Sequence, residues 1–129
     1  MSNSIIQIDT SDIVEGKLAE LEVAFSKLVE FVKTKESRPI SYNIYFNENR
    51  TKVTVVQIHP DSTSFEYHME VAAPEFSKFH EMLRLSSIEI YGKPSDNLLN
   101  LLKQKAQMLG SGKVAIHELH AGFARFGNQ

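Results

Sequence analysis

Two alternating segments, ISYNIYF at residues 40–46 and KVTVVQIH at residues 52–59, decide the fold. Each places apolar side chains at every second position, which is the period of a β-strand. The residues between them, 47–51, are polar, so the two segments together predict a β-hairpin. Pro60 ends the second strand, since proline cannot donate a hydrogen bond to a strand ladder.

An amphipathic helix is predicted before the hairpin. Apolar side chains recur there at steps of three and four residues, at Leu18, Leu21, Phe25, Leu28 and Val32. This stripe predicts a helix that ends near Lys35. Asp12 and Glu15 have the spacing of a capping box and predict the start of the helix. Residues 4–9 predict a short first strand.

A broken helix and a short strand are predicted after the hairpin. The helix begins near Ser64 and breaks near Ala73, because Pro74 removes a backbone donor and clashes with the preceding turn. It then resumes to about Leu85. Residues 87–91 predict the short strand.

A third helix and a last strand complete the chain. The helix is rich in leucine, and the glycines at 110 and 112 predict its end. The last strand is predicted over 114–126 with a bulge at Gly122. If the short fourth strand and the third helix are additions, the order becomes βαββαβ, the ferredoxin-like α+β arrangement, in one domain over residues 1–129.

Two segments in this element order carry a resemblance to a known superfamily. One is SFEYH at 64–68, followed by Pro74, Phe76 and Phe79; the other is SIEIYG at 87–92, before the leucine-rich helix. With them the chain resembles the dimeric α+β barrel superfamily, which includes the antibiotic biosynthesis monooxygenase-like domains. The resemblance implies a homodimer whose sheets pack face to face, with a ligand cleft between sheet and helices in each protomer.

The resemblance does not supply catalytic residues. Members that degrade haem, or oxidise aromatic compounds without a cofactor, commonly use a tryptophan together with asparagine and histidine. This sequence has no tryptophan. The catalytic residues of those enzymes are therefore not transferred to this chain, and its own remain unknown.

The strands also predict a homodimer on physical grounds. Val53 and Val55 face one side of the second hairpin strand, and Val56 and Ile58 face the other. A sheet covered by helices on one side should be polar on its second side, so an apolar second side requires another cover. A second copy of the chain is the predicted cover. The alternative is that a loop or the third helix covers it.

Five side chains are the candidates for ligand binding: His59, His68, Tyr67, Asn43 and Tyr45. Histidine is the side chain that most readily exchanges protons near neutral pH. His68 and Tyr67 lie just before the predicted break, where a cleft would open, and Asn43 and Tyr45 share one face of a strand. The alternative is that His68 is an exposed helix residue and that the tyrosines only pack. His80 is expected to be half-buried.

The composition limits the classes of function. The chain is 42% hydrophobic and 23% charged with a net charge of −2, which predicts neither nucleic acid nor a membrane as partner. Without cysteine it has no thiolate metal site or disulfide, and His117 and His120 would point to opposite faces of a strand. No cofactor and no metal are predicted, and the cytoplasm is the expected location.

These observations lead to two hypotheses about function. The first is a domain that binds a small organic ligand, and acts as a cofactor-independent monooxygenase-like or isomerase-like enzyme. The alternative is a non-catalytic structural or regulatory homodimer. A buried, partly polar cleft with converging titratable side chains would favour the first, and a cleft filled by Phe and Leu would favour the second.

Overall fold

The computed structural model describes residues 3–125, apart from the side chains at 111 and 112. Within these residues, eight helices and strands follow one another in the order β1 (Ile5–Ile13), α1 (Leu18–Lys35), β2 (Ser41–Phe46), β3 (Lys52–His59), α2 (Ser62–Phe76), β4 (Leu83–Tyr91), α3 (Asp96–Leu109) and β5 (Gly110–His117). A short 3₁₀ turn, Ser77–Phe79, follows α2. The predicted hairpin is confirmed as β2 and β3.

The five strands form one mixed sheet in the order β2-β3-β1-β4-β5. The pairs β2–β3, β3–β1 and β1–β4 are antiparallel, and β5 runs parallel to β4. Elements β1 to β4 with α1 and α2 are the ferredoxin-like βαββαβ unit. The predicted fold class is therefore confirmed.

The choice of the added strand was wrong. The strand at 87–91 is the end of β4, which lies beside β1 near the centre of the sheet and begins at Leu83. Leu83 and Leu85 alternate with exposed neighbours and bury their side chains, so they continue the strand and not the preceding helix. The added elements are α3 and β5.

Two helix boundaries also differ from the prediction. Helix α1 begins at Leu18 without a capping box, because β1 continues to Ile13 and Asp12 pairs across the sheet with Lys52. Helix α2 passes through Pro74 and ends at Phe76. No helix follows it to Leu85, since the chain enters β4.

The last strand begins earlier and ends earlier than predicted. A Cβ atom at Gly110 would lie 2.6 Å from the carbonyl oxygen of Leu85, so glycine lets β5 approach β4 there. Gly110 thus starts a strand as well as ending α3. Residues 118–125 are not in a strand, so Gly122 forms no bulge, and Phe126 lies outside the described residues.

The three helices cover only one face of the sheet. Val53 and Val55 are buried beneath them, whereas Ile6, Ile8, Val56 and Ile58 lie half-buried on the opposite face. Helix α3 packs on the same side as α2. Within residues 3–125, the second face, called the open face below, is therefore without a helical cover.

Candidate functional site

Strands β1 and β3 turn polar side chains toward the helices. In β1 these are Gln7, Asp9 and Ser11, and Gln7 lies directly opposite Gln57 of β3. The Gln7 amide donates to Asp9 Oδ2 at 2.8 Å. Gln7 Oε1 and Gln57 Nε2 are buried without a hydrogen-bond partner among the described residues. Because buried polar groups are almost always paired, this interior is equipped for a water or a ligand.

His68 and Glu36 form a buried pair beside these strands. His68 Nδ1 lies 2.9 Å and 3.1 Å from the two carboxylate oxygens of Glu36, and both side chains are fully buried. Burial lowers the pKa of His68, although the hydrogen bond and charge of Glu36 act in the opposite direction. A neutral ring that donates from Nδ1 keeps its lone pair on Nε2. That Nε2 is buried and has no hydrogen-bond partner among the described residues.

His59 lies next to His68 but has both ring nitrogens paired. Its Nε2 donates to Gln57 Oε1 at 2.7 Å, and its Nδ1 accepts from the Ser64 hydroxyl at 3.0 Å. The ring stacks on Phe65 with centroids 4.3 Å apart and lies 5.6 Å from the ring of His68. Burial, helped by His68, lowers the pKa of His59 to about 3. His59 is therefore neutral and held in place.

A buried cation and a buried carboxylate complete the cluster. Lys105 of α3 is only 7% exposed, and its Nζ lies 3.5 Å from Asp9 Oδ2. Burial raises the pKa of Asp9 and outweighs the attraction of Lys105. The ring of Tyr42 lies 5.2 Å from that of His68, and burial with the charges of Asp9 and Glu36 raises the pKa of its hydroxyl.

A small, partly open cavity lies against this cluster. Its volume is about 30 Å³, room for about one or two water molecules. Polar side chains on its wall are Asp9, Ser11, Tyr42 and Lys105, and the rest is apolar: Phe25, Leu28, Val55, Phe76, Phe79, Leu83, Leu85 and Leu109.

A larger groove of about 590 Å³ lies outside the cavity, between α1 and the 3₁₀ turn. Leu28 and Phe79 line both the groove and the cavity, so they are the partition between them. The ring of Phe79 rests on that of Phe25, with centroids 4.6 Å apart.

The structure brings together two of the five predicted side chains. His59 and His68 are both in the buried cluster, so the alternative of an exposed His68 is wrong. Tyr67 is 50% exposed on the outer side of α2. Asn43, bonded to the Ser41 hydroxyl, and Tyr45, 54% exposed, lie away from the helices. A ligand role for any of the five stays a prediction.

Four participants were missed from the sequence: Glu36, Asp9, Lys105 and Gln7. One signal was available, because Gln7 and Asp9 alternate with isoleucines in a strand that is apolar on its other face. Polar side chains on the covered face of a strand indicate a polar interior. Glu36 and Lys105 gave a weaker signal, since each lies on the apolar stripe of its helix, where a charged side chain is unexpected. The expected half-burial of His80 is wrong, because that residue is exposed.

Two further features bear on partners. In the part of the chain that the structure describes, no three His, Asp or Glu side chains are grouped so that they could hold a metal ion. None of the helices described has both the length and the apolar content needed to cross a membrane.

The fold is shared with several solved structures. MupZ from Pseudomonas fluorescens superposes with a TM-score of 0.76 at 21% identity, over 97% of this chain and 91% of that one. SnoaB from Streptomyces nogalater, a cofactor-independent oxygenase, gives 0.60 at 9% identity, over 73% and 96%. A structure from Caulobacter crescentus, described as a possible antibiotic biosynthesis monooxygenase, gives 0.63 at 16% identity, over 73% and 92%. No protein-family model and no curated protein sequence matches this chain.

These likenesses confirm the predicted resemblance at the level of fold. The chain has the ferredoxin-like α+β fold of the antibiotic biosynthesis monooxygenase-like structures. The superposition on MupZ covers 97% of this chain and therefore includes α3 and β5. The two added elements belong to that shared fold. Identities this low describe the fold alone.

Proposed function

We propose that this chain binds a small, largely apolar organic compound and removes a proton from it, in a cofactor-independent monooxygenase-like or isomerase-like reaction. The observation that carries the proposal is the Glu36–His68 pair with the free Nε2 of His68. SnoaB, which is described as a cofactor-independent oxygenase and shares the fold, supports the same direction.

His68 has the properties of a general base. Glu36 fixes the ring and its tautomer, and the lowered pKa of His68 keeps Nε2 unprotonated at neutral pH. A carboxylate that orients a histidine and stabilises its protonated form is a recurrent arrangement in proton transfer. His59 cannot substitute for it, because both of its nitrogens are already engaged.

Proton removal from a carbon next to a carbonyl group is common to both reactions. In an isomerase, the proton returns to a different carbon of the enolate. In an oxygenase, dioxygen is the second substrate. One oxygen atom becomes a carbonyl oxygen on the deprotonated carbon, and the two hydrogens of that carbon leave with the other oxygen as water.

The outer groove provides the route by which such a compound enters. Its volume of about 590 Å³ is within the usual range for small-molecule sites. The cavity behind it holds only about one or two water molecules, so a substrate must displace Leu28 and Phe79 to enter it. His68 lies behind Tyr42 and Phe76 of the cavity wall, so one of these rings must also move before the substrate reaches His68. The apolar cavity wall then excludes bulk water from the base.

The test uses 2-indanone, an enolisable ketone with a flat apolar skeleton. Its exchange of α-protons for deuterium in D₂O is followed by proton NMR with the wild-type chain, His68→Gln and Glu36→Gln. Loss of a general base lowers the rate by about 10²-fold or more, and loss of the orienting carboxylate by a smaller factor. Oxygen uptake in the same samples separates the oxygenase from the isomerase.

His80→Gln is the matched control, since His80 is an exposed histidine beyond the 3₁₀ turn. It should exchange 2-indanone at the wild-type rate. Exchange that requires His68 but not His80 supports the proposal. If the wild-type chain gives no exchange above buffer, or if His68→Gln is folded and equally active, the proposal is wrong.

A second function has a specific observation in its favour. Phe and Leu side chains occupy most of the space between sheet and helices, as expected for a non-catalytic structural or regulatory homodimer. The buried polar cluster would then only fix the packing of α1 and α2 on the sheet. Under that alternative, 2-indanone neither binds nor exchanges.

Self-association is part of either proposal. The half-buried isoleucines and valine of the open face support a second copy of the chain as its cover. Residues 118–125 carry further exposed apolar side chains, among them Leu119 and Phe123. The absence of cysteine supports the reducing cytoplasm as the place of action.

A further inference from the structure

Lys105 lies inside the protein and, among the described residues, forms an ion pair with one carboxylate, that of Asp9. Its Nζ lies 3.5 Å from Asp9 Oδ2, longer than the roughly 2.7–2.9 Å of a strong charge-assisted hydrogen bond. On another side it lies 4.6 Å from the centre of the Phe76 ring. A buried lysine contributes little stability in such a pair, because both charges lose their hydration. Its position therefore invites a functional explanation.

Asp9 is a weak competitor for this cation. The same oxygen, Oδ2, already accepts a hydrogen bond from the Gln7 amide at 2.8 Å. Burial raises the pKa of Asp9 even with Lys105 beside it, so the carboxyl group accepts a proton more readily than usual. An incoming anion can thus replace Asp9 as the partner of Lys105 without leaving an uncompensated charge.

The cavity around Lys105 has Asp9, Ser11 and Tyr42 as its other polar side chains and is otherwise aromatic and aliphatic. Phe76 and Tyr42 line it, and both rings also contact that of His68, at 5.8 Å and 5.2 Å between centroids. His68 itself does not line the cavity, but its ring lies directly behind those of Tyr42 and Phe76, which do. A small molecule that moves one of these two rings aside can therefore place an oxygen near Lys105 and a carbon near His68.

We infer that Lys105 is the residue that binds the acidic oxygen of the ligand, and that the ligand is a phenol or an enolisable carbonyl compound on an apolar skeleton. This inference rests on the proposed function. When His68 Nε2 takes the proton, the electron pair of the broken C–H bond forms a C=C bond. The carbonyl π pair moves to oxygen, and the Lys105 ammonium stabilises the resulting enolate.

The test uses 4-nitrophenol, whose phenolate has its own absorbance band. Titrated into the wild-type chain below the pKa of the free phenol, it should bind and show more phenolate than in buffer. Lys105→Met should weaken that binding about tenfold or more, and Lys105→Arg should keep most of it, since the cation remains. Lys103→Met is the matched control on the exposed side of the same helix and should behave as wild type.

A second variant is needed because Lys105→Met leaves the Asp9 carboxyl group buried without its ion-pair partner, which destabilises the fold. Asp9→Asn with Lys105→Met removes both charges together, and its folding is checked by urea unfolding. A folded double variant that no longer ionises the probe supports the inference. The inference is overturned if Lys105→Met or the folded double variant binds 4-nitrophenolate with wild-type affinity. It is also overturned if the wild-type chain does not bind 4-nitrophenol.

The two proposals fail in different ways. If exchange of 2-indanone requires His68 but 4-nitrophenolate binding does not require Lys105, only the inference is wrong. If phenolate binding requires Lys105 but 2-indanone is not exchanged, the cavity is a binding site and the catalytic proposal is wrong.

Discussion

His59 and His68 lie side by side, yet the partners of their ring nitrogens give them different capacities. His59 is neutral with both nitrogens paired, so it can only support its neighbours. His68 is neutral, and its Nε2 has no hydrogen-bond partner in the part of the chain that the structure describes. The same residue type thus provides a packing element and a candidate base within 5.6 Å, and the difference comes from Gln57, Ser64 and Glu36.

The lowered pKa of His59, about 3, predicts how the stability of the protein depends on pH. In the unfolded chain a histidine titrates near 6.5, so between pH 6.5 and 3 the unfolded state binds more protons than the folded state. The free energy of unfolding should therefore fall as the pH is lowered through this window, by up to about 1.4 kcal/mol per pH unit from this residue.

Urea unfolding at pH 7 and pH 5 measures this slope. His59→Gln cannot be protonated, so it should lose stability less steeply than wild type between those values. The raised pKa of Asp9 changes stability in the opposite direction, because it favours the folded state as the pH falls. Asp9 is present in both proteins, so its contribution does not affect the comparison of their slopes. Equal slopes for wild type and His59→Gln would show that His59 is not held neutral.

At the scale of elements, the added α3–β5 unit places Lys105 in the interior. Helix α3 is fixed at its start by Ser95, whose hydroxyl accepts from the Leu98 amide, and at its end by the direct entry into β5. A glycine at 110 is required for that entry, because a Cβ atom would meet the backbone of Leu85.

Gly110→Ala should therefore separate the start of β5 from β4. The clash is with backbone atoms, which cannot swing away, so we expect a loss of about 1–3 kcal/mol in the free energy of unfolding. Amide hydrogen exchange of residues 113–117 should accelerate more than that of β1 and β3. Unchanged exchange in β5 would mean that the strand does not need this close approach.

The elements differ in how well the sequence predicts them. The hairpin and α1 have clear periods of two and 3.6, and they were placed within a few residues. The start of β4 and of β5 was missed, because Leu83 after a proline-containing helix and Gly110 after a leucine-rich one carry no local strand signal. Their conformation comes from pairing with β1 and β4, which are far away in sequence.

The same distinction applies to the candidate site. His68 was found because histidine is a rare and chemically conspicuous residue. Glu36 and Lys105 were not found, because only the folded chain brings a charge from the end of α1 and another from α3 into one interior. Each lies on the apolar stripe of its helix, but a lone charge there does not reveal the partner that it meets.

At the scale of the whole molecule, the open face predicts self-association. Val56→Glu places a charge in the middle of this face without touching the core under the helices. We expect wild type to have the mass of two chains in light scattering and Val56→Glu the mass of one, with unchanged circular dichroism.

Val23→Glu is the control for that experiment. Val23 is an exposed valine on α1, on the other side of the molecule from the open face, so the same substitution there should leave a dimer. A wild-type mass of one chain, or a dimer that Val56→Glu leaves intact, would contradict a dimer through the open face.

The central claim is that an apolar ligand reaches His68 Nε2, and nitrogen NMR of the ¹⁵N-histidine-labelled protein tests it most directly. At pH 7 the free protein should show His68 with a protonated Nδ1 and an unprotonated Nε2. Added 2-indanone should shift the His68 Nε2 resonance while the resonances of the exposed His80 stay in place. A His68 that is protonated on Nε2, or one whose resonances ignore saturating 2-indanone, would contradict the claim.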